Sequence, residues 1–140
     1  MEQKHSKGII VNILFCGQRD YKDYNFILHV MKEALKKHDI DDLLIIHGAA
    51  PGADTLAENA AKKLQIDYRG FPARWDYWRE QGNVKAAGAI RNKRMLDIGV
   101  PELVLAFYHD YENSKGTRNM IEQAKKYDVP CKEFWNRKML

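Results

Sequence analysis

Short runs of apolar residues alternate along this chain with longer stretches in which apolar positions recur every three or four residues. The first run, Ile9-Ile10-Val11-Asn12-Ile13-Leu14-Phe15, is too short and too continuous for an amphipathic helix. It predicts a strand covered on both faces and ending at Gly17. A helix follows, with Ile27, Val30, Met31, Ala34 and Leu35 facing inward and Lys36, Lys37 and His38 near its C-terminal end. Leu43 to Ile46 predict a second buried strand. Leu56, Ala57, Ala60, Ala61 and Leu64 then mark a helix whose small-sided face can pack closely. Ile66 to Phe71 read as a third strand stopped by Pro72, Gly82 to Gly99 as a third helix terminated by Gly99, and Glu102 to Phe107 as a fourth strand. Another helix turns Met120, Ile121, Ala124 and Tyr127 inward, and Val129 to Trp135 form a final strand before a short tail. This alternation predicts an α/β fold, a single domain over residues 1–140 built on a doubly wound, mostly parallel sheet of about five strands. The polar residues 1–7 are expected to be frayed.

Candidate chemistry gathers where the predicted strands end, because open α/β sheets bind ligands in the crevice outside the carboxyl ends of their strands. The first strand delivers Gly17-Gln18-Arg19-Asp20 to that edge. The second leads through His47-Gly48-Ala49-Ala50-Pro51-Gly52 into a helix that Asp54 or Thr55 is placed to cap. Gly48 and Gly52 permit backbone angles closed to other residues, and the first-turn amides offer a site for phosphate or carboxylate, unless the loop is simply a tight turn. The loop fits neither the dinucleotide fingerprint nor the P-loop pattern. Lys115-Gly116-Thr117 make a second junction of the same kind. The segment Pro72 to Gly82 sets Trp75, Tyr77 and Trp78 among Arg74 and Arg79; it reads as a loop that either stacks a base or covers the sheet end. Arg91 and Asn92 lie mid-helix, where Arg91 reaches a phosphate if that helix passes the sheet edge.

Composition narrows the picture without changing it. With 140 residues, 45% hydrophobic and 30% charged, the chain is one domain's worth of ordinary globular sequence. No apolar run approaches the roughly 20 residues that cross a bilayer, and the opening MEQKHSKG lacks a signal-peptide core, so a cytoplasmic location is expected. Cys16 and Cys131 are far apart and read as buried thiols, and the five histidines show no ligand spacing, so no metal is expected. The net charge of +4 is spread along the chain, as on a solvated basic surface, and still admits an acidic partner.

Taken in order, these motifs resemble a family. Gly17-Gln18-Arg19 is similar to its Gly-Ser-Arg motif, and His47 to Ala57, HGAAPGADTLA, to its G-G-A-x-G-A-D-x-L-A signature. Gly88 to Leu96, GAIRNKRML, and Lys115-Gly116-Thr117 continue the match. The family is the YspA-like (cpYpsA-related) branch of the SLOG superfamily, and the resemblance runs from about Ile9 to Cys131. It implies a three-layer Rossmann-like domain of bacterial or phage type. Such a domain takes a nucleotide, a nucleoside phosphate or an NAD- or ADP-ribose-like ligand at the strands' carboxyl ends, with no further cofactor required. Relatives in the superfamily include the LOG phosphoribohydrolases and the DNA-binding DprA proteins. The chain departs from the pattern at Gln18, in place of serine, and at Ala49, in place of a second glycine; the hydrolases' P-G-G-x-G-T-x-x-E motif is absent.

On this reading amides around Gly48, Ala49, Gly52 and Ala53, with those near Gly116 and Thr117, hold phosphate. Arg19 and Arg91 add charge-assisted contacts, and Gly17, Gln18 and Asn92 complete the wall. Trp75 or Trp78 stacks the base. Asp54 caps its helix or accepts from ribose hydroxyls, and in an N-glycosidic hydrolase Asp54 and Glu58 are the available acids. The alternative is a single-stranded nucleic-acid binder of DprA type. No membrane partner is expected, and a homo-oligomer is compatible with the apolar helix faces.

Overall fold

A computed structural model of the protein describes residues 8–140; the expectation for residues 1–7 lies outside them. The elements run β1 (Val11–Gly17), α1 (Tyr24–Leu35), β2 (Leu43–His47), α2 (Ala53–Leu64), β3 (Asp67–Gly70), α3 (Trp75–Glu80), α4 (Ala87–Gly99), β4 (Leu103–Tyr108), α5 (Lys115–Lys126), β5 (Cys131–Trp135) and β6 (Lys138–Met139). The strands form one sheet in the order β3-β2-β1-β4-β5-β6, parallel except for β6.

That order places the change of direction between β1 and β4, and both faces of the sheet are covered. Ile13, Phe15, Ile45, Leu105 and Phe107 pack under α1 and α2. The alternate residues Leu14, Cys16, Ile46, Val104 and Ala106 pack under α4 and α5. Fully buried Ala57, Ala60 and Ala61 let α2 lie close to the sheet. Across the centre, Phe107 stacks on Phe15 at 5.7 Å and on Phe134 at 5.0 Å, tying β1, β4 and β5 together. Truncating Phe107 to Ala would leave a central void worth about 3–5 kcal/mol.

Several local expectations are corrected. β1 begins at Val11; Ile9 and Ile10 precede it and are exposed. The sheet has six strands, because the tail turns back at Asn136, which is left-handed at φ 54°, and pairs Lys138 with Trp135. The Pro72 to Gly82 segment is not a loop throughout, since Trp75–Glu80 form the short helix α3. Gly99 is the last residue of α4 rather than its terminator, which is left-handed Val100. Its missing side chain serves packing: a Cβ there would come within 2.9 Å of Ile46 Cδ1 on β2. Tyr127 caps α5 and is partly exposed instead of completing the inner row. Cys16 is buried as expected, whereas Cys131 is only partly so; both are free.

Candidate functional site

Three loops meet at the carboxyl ends of β1, β2 and β4, and Gln18 joins them. Its side-chain Oε1 accepts from the amides of His109 at 3.1 Å and Asp110 at 3.0 Å on the loop after β4. Its carbonyl accepts from Ala53 at the head of α2, at 3.2 Å. A serine hydroxyl ends two bonds sooner and would not reach the β4 loop. Gln18, where the resembling motif has serine, is therefore long enough to tie the two loops together.

The loop between β2 and α2 is wrapped around Asp54. Asp54 is buried, and its Oδ2 accepts from the amides of Gly48 at 3.1 Å and Ala50 at 3.2 Å. The Ala49 amide donates to His47 Nδ1 at 2.9 Å, which leaves His47 Nε2 to donate to Glu58 at 3.0 Å. With the Ala53 amide given to Gln18, three of the amides named for phosphate, those of Gly48, Ala49 and Ala53, are engaged within the protein, as is that of Ala50. Asp54 is thus not the side-chain cap of α2: Gly52 occupies the cap position, without a side-chain bond, at φ +80°. Thr55 does not cap it either, since its hydroxyl donates to the Ala50 carbonyl. A Cβ on Gly52 would meet the Gln18 carbonyl oxygen at 2.3 Å, so only glycine lets the two loops touch.

The junction before α5 is different. Ser114 closes the turn by donating to the Asp110 carbonyl at 2.7 Å, and the Arg118 amide donates to the Ser114 carbonyl. Among the described residues no acceptor lies on the amides of Lys115, Gly116 or Thr117, and no atom comes within 4 Å of where a Gly116 Cβ would stand. The positive end of the α5 dipole is therefore open.

α4 ties the two junctions together. Arg91 is buried on this helix, not exposed; Nη1 donates to the Gly48 carbonyl and Nε to Asn92 Oδ1 at 2.9 Å. Asn92 Nδ2 donates in turn to the Gly116 carbonyl at 3.2 Å. Burial raises the Asp54 carboxyl above its usual range, against the pull of the Arg91 charge and the two loop amides. Burial likewise lowers Arg91, with Asp54 opposing and Arg19 reinforcing the shift.

These elements enclose a cavity of about 680 Å³, a size that accommodates a nucleotide. Of the sequence-predicted residues, Gly17, Gln18, Arg19 and Asp54 line it from the β1 and β2 side; Arg91 and Asn92 line it from α4, and Gly116 and Thr117 from α5. Trp75 stands at its edge, with the Arg19 guanidinium 5.2 Å from its ring centroid and Gly88 beneath its rim. Gly48, Ala49, Gly52 and Ala53 lie behind the wall, not on it. Trp78 is also outside, packed edge-on to Tyr77 at 5.0 Å. Glu58 points to His47 and Lys62, so the structure does not bring it to the cavity with Asp54. His47 and Lys62 outweigh burial and hold the Glu58 carboxyl below its usual range.

Residues 11–78 match the family described as YspA, cpYpsA-related SLOG family. Over that segment, just under half of its length, the chain is similar to this SLOG family. It is 29% identical over 124 residues to the Gene 61 protein of Mycobacterium phage D29, covering 87% of this chain and 94% of that protein. In fold it is similar to the X-ray structure of DNA processing protein A (DprA) from Streptococcus pneumoniae, with a TM-score of 0.64 and 16% identity. That likeness covers 87% of this chain and 49% of the DprA chain, so this protein spans about half of it. The SLOG family and this Rossmann-like fold support a nucleotide- or nucleic-acid-binding module in general terms. No helix among the described residues is long and apolar enough to cross a membrane.

Sequence reasoning missed Lys85, Lys115 and Asn119 as wall residues. Lys115 and Asn119 were within reach, because they sit at i and i+4 around the Gly116-Thr117 motif and so share a face of α5. Lys85 lies in a short 3-10 turn, Val84–Ala86, that no periodicity announces.

Proposed function

We propose that this protein binds a phosphorylated nucleoside, with phosphate on the α5 side of the cavity and the base toward Trp75. One observation carries the reading: the open amides of Lys115, Gly116 and Thr117 share a single cavity with Arg19, Lys85, Lys115 and the Trp75 indole. Helix N-terminal amides and cations suit phosphate oxygens, and an aromatic face suits a base. The phosphate site is thereby assigned to one helix mouth, that of α5, because Lys115, Gly116 and Thr117 line the cavity, whereas Gly52 and Ala53 at the mouth of α2 do not and the Ala53 amide is given to Gln18. Calorimetric titration with nucleoside monophosphates, NAD and ADP-ribose tests it. At least one should bind with micromolar affinity, and failure of the whole series would overturn the reading.

Binding without turnover is the form of the proposal the geometry supports. N-glycosidic cleavage calls for a carboxylate free to face the sugar, and Asp54 offers only the oxygen not held by the loop amides. Release of free base above a blank on incubation with the same compounds would convert the reading to that of a hydrolase.

Single-stranded nucleic acid is the second reading, favoured by α3. Arg74 lies 4.7 Å over the Tyr77 ring there, beside exposed Trp75 and Tyr77. A labelled oligonucleotide that bound tightly at low salt and lost affinity steeply at high salt, with no response to mononucleotides, would establish this reading over the first.

A further inference from the structure

The α5 wall of the cavity carries an amide whose orientation is determined by its neighbours. Arg91 Nε can only donate, so the Asn92 atom it bonds at 2.9 Å is the oxygen, and Asn92 turns its nitrogen the other way. That nitrogen donates to the Gly116 carbonyl at 3.2 Å and to Asn119 at 3.1 Å. From the other side, Gln123 Nε2 donates to the Ala89 carbonyl at 3.0 Å and to the same Asn119 atom at 2.7 Å. A main-chain carbonyl only accepts, so Gln123 is fixed as a donor, and the Asn119 atom receiving both bonds must be Oδ1. Both hydrogens of Asn92 and both of Gln123 are then used, as are both lone pairs of Asn119 Oδ1. What remains is the Asn119 NH2 group, which has no acceptor among the described residues and is not buried. Asn119 lines the cavity one helical turn below Lys115, on the same face of α5.

We infer that Asn119 is a ligand-contacting residue that donates to phosphoryl oxygen, and that α5 presents a row of donors toward the cavity, joined by the Thr117 hydroxyl, which can donate as well as accept. Lys115 Nζ, the amides of Gly116 and Thr117, and Asn119 Nδ2 follow one another along that edge, and none of them can accept. A phosphoryl group matches such an edge because it offers several acceptor oxygens and negative charge, whereas a ligand ammonium turned to it would leave a donor facing donors. This rests on the binding reading above and sharpens it, assigning the phosphate contact to a residue outside the glycine motif.

Asn119→Asp tests it. The substitution keeps an oxygen for Asn92 and Gln123 and puts a carboxylate oxygen in place of the free NH2. Affinity for nucleoside monophosphates should fall by about tenfold or more, while the parent nucleosides, lacking phosphate, bind as they do to the wild-type protein and the thermal midpoint stays close to wild type. Unchanged monophosphate affinity, or an equal loss for nucleoside and monophosphate, would overturn the phosphate contact. Hydrogen exchange of the side-chain amides in the free protein judges the orientation separately. Asn92 and Gln123 should be protected and Asn119 should exchange fast, and the reverse order would overturn the assignment of its oxygen and nitrogen. Should wild-type protein bind no phosphorylated nucleoside, the proposed function and this phosphate contact would both fall, while the exchange pattern would still judge the amide network.

Discussion

Arg91 and Asn92 are sequence neighbours that bond each other at 2.9 Å and then reach away to different loops, Arg91 to the Gly48 carbonyl and Asn92 to the Gly116 carbonyl. One turn of α4 therefore sets the spacing between the β2–α2 and β4–α5 junctions. A side chain of the type that holds phosphate directly is here a brace holding the walls around the proposed phosphate site.

Replacing Arg91 by Ala should accordingly unfold more easily as well as bind less well. The change frees the Gly48 carbonyl and Asn92 Oδ1 and leaves buried Asp54 without its nearest cation. A loss of about 2–4 kcal/mol is expected in urea unfolding. Lysine at this position keeps the charge but not the fork, and should recover only part of the loss. An Arg91→Ala protein with the wild-type unfolding midpoint would show that the brace carries no load.

Two glycines separate the closed junction from the open one. A Cβ on Gly48 would stand 2.6 Å from Arg91 Nη1 and 2.9 Å from Asp54 Oδ2, so Gly48→Ala should cost about 1–3 kcal/mol as both side chains are pushed back. At Gly116 the same methyl meets nothing, and Gly116→Ala should leave stability unchanged or raise it by up to about 1 kcal/mol. If phosphate sits against the α5 amides, Gly116→Ala should nevertheless weaken nucleotide binding. Thermal melts and titrations on the two variants separate the effects, and equal destabilisation by both would contradict the geometry.

The layered architecture was legible because it is written in runs and periods: Ile13 to Phe15, Leu43 to Ile46 and Leu103 to Phe107 are continuous apolar strands that only a sheet covered on both faces can use. The Gly116 mouth was legible too, from a glycine following a strand. What the sequence concealed was which donors are already engaged. Asp54 caps nothing and turns back onto Gly48 and Ala50, a choice made by three-dimensional closure against Arg91, 37 residues further on. Trp75 and Trp78 look alike in sequence, yet on the short helix α3 one faces the cavity and the other faces Tyr77. Strand β6 escaped notice because two residues carry no period.

Acid should also act through Asp23, at the head of α1. Its carboxylate caps α1 by accepting from the Phe26 amide at 3.2 Å, and it receives Arg137 in a two-pronged pair at 2.8 and 3.0 Å. The Arg137 hydrogen bond, helped by the cap and opposed by partial burial, holds the carboxyl below its usual value. A carboxyl depressed in the fold contributes fully above its unfolded value of about 4 and loses that contribution as the pH falls through the folded value. Arg137→Ala should cost about 0.5–1 kcal/mol at neutral pH, modest because the pair is exposed, and flatten the acid limb of stability against pH. Asp23→Ala should add the loss of a cap, about 1 kcal/mol. Identical acid limbs in wild type and Arg137→Ala would remove this pair from the account.

Trp75 is the residue whose role a spectrum can decide. Its indole is partly exposed at the cavity edge with Arg19 against it, whereas Trp78 stands outside. A base entering the cavity should quench Trp75 emission, and Trp78→Phe should leave both the quenching and the affinity intact. Trp75→Ala should abolish the signal and weaken binding by about 1–3 kcal/mol, the range of one base stacked on one aromatic ring. It should spare stability, because little apolar surface is lost from the core. If quenching persists in Trp75→Ala and disappears in Trp78→Phe, the base lies on the outer face of α3, where an extended nucleic-acid strand would run. The mononucleotide would then have to give way to the oligonucleotide as the ligand.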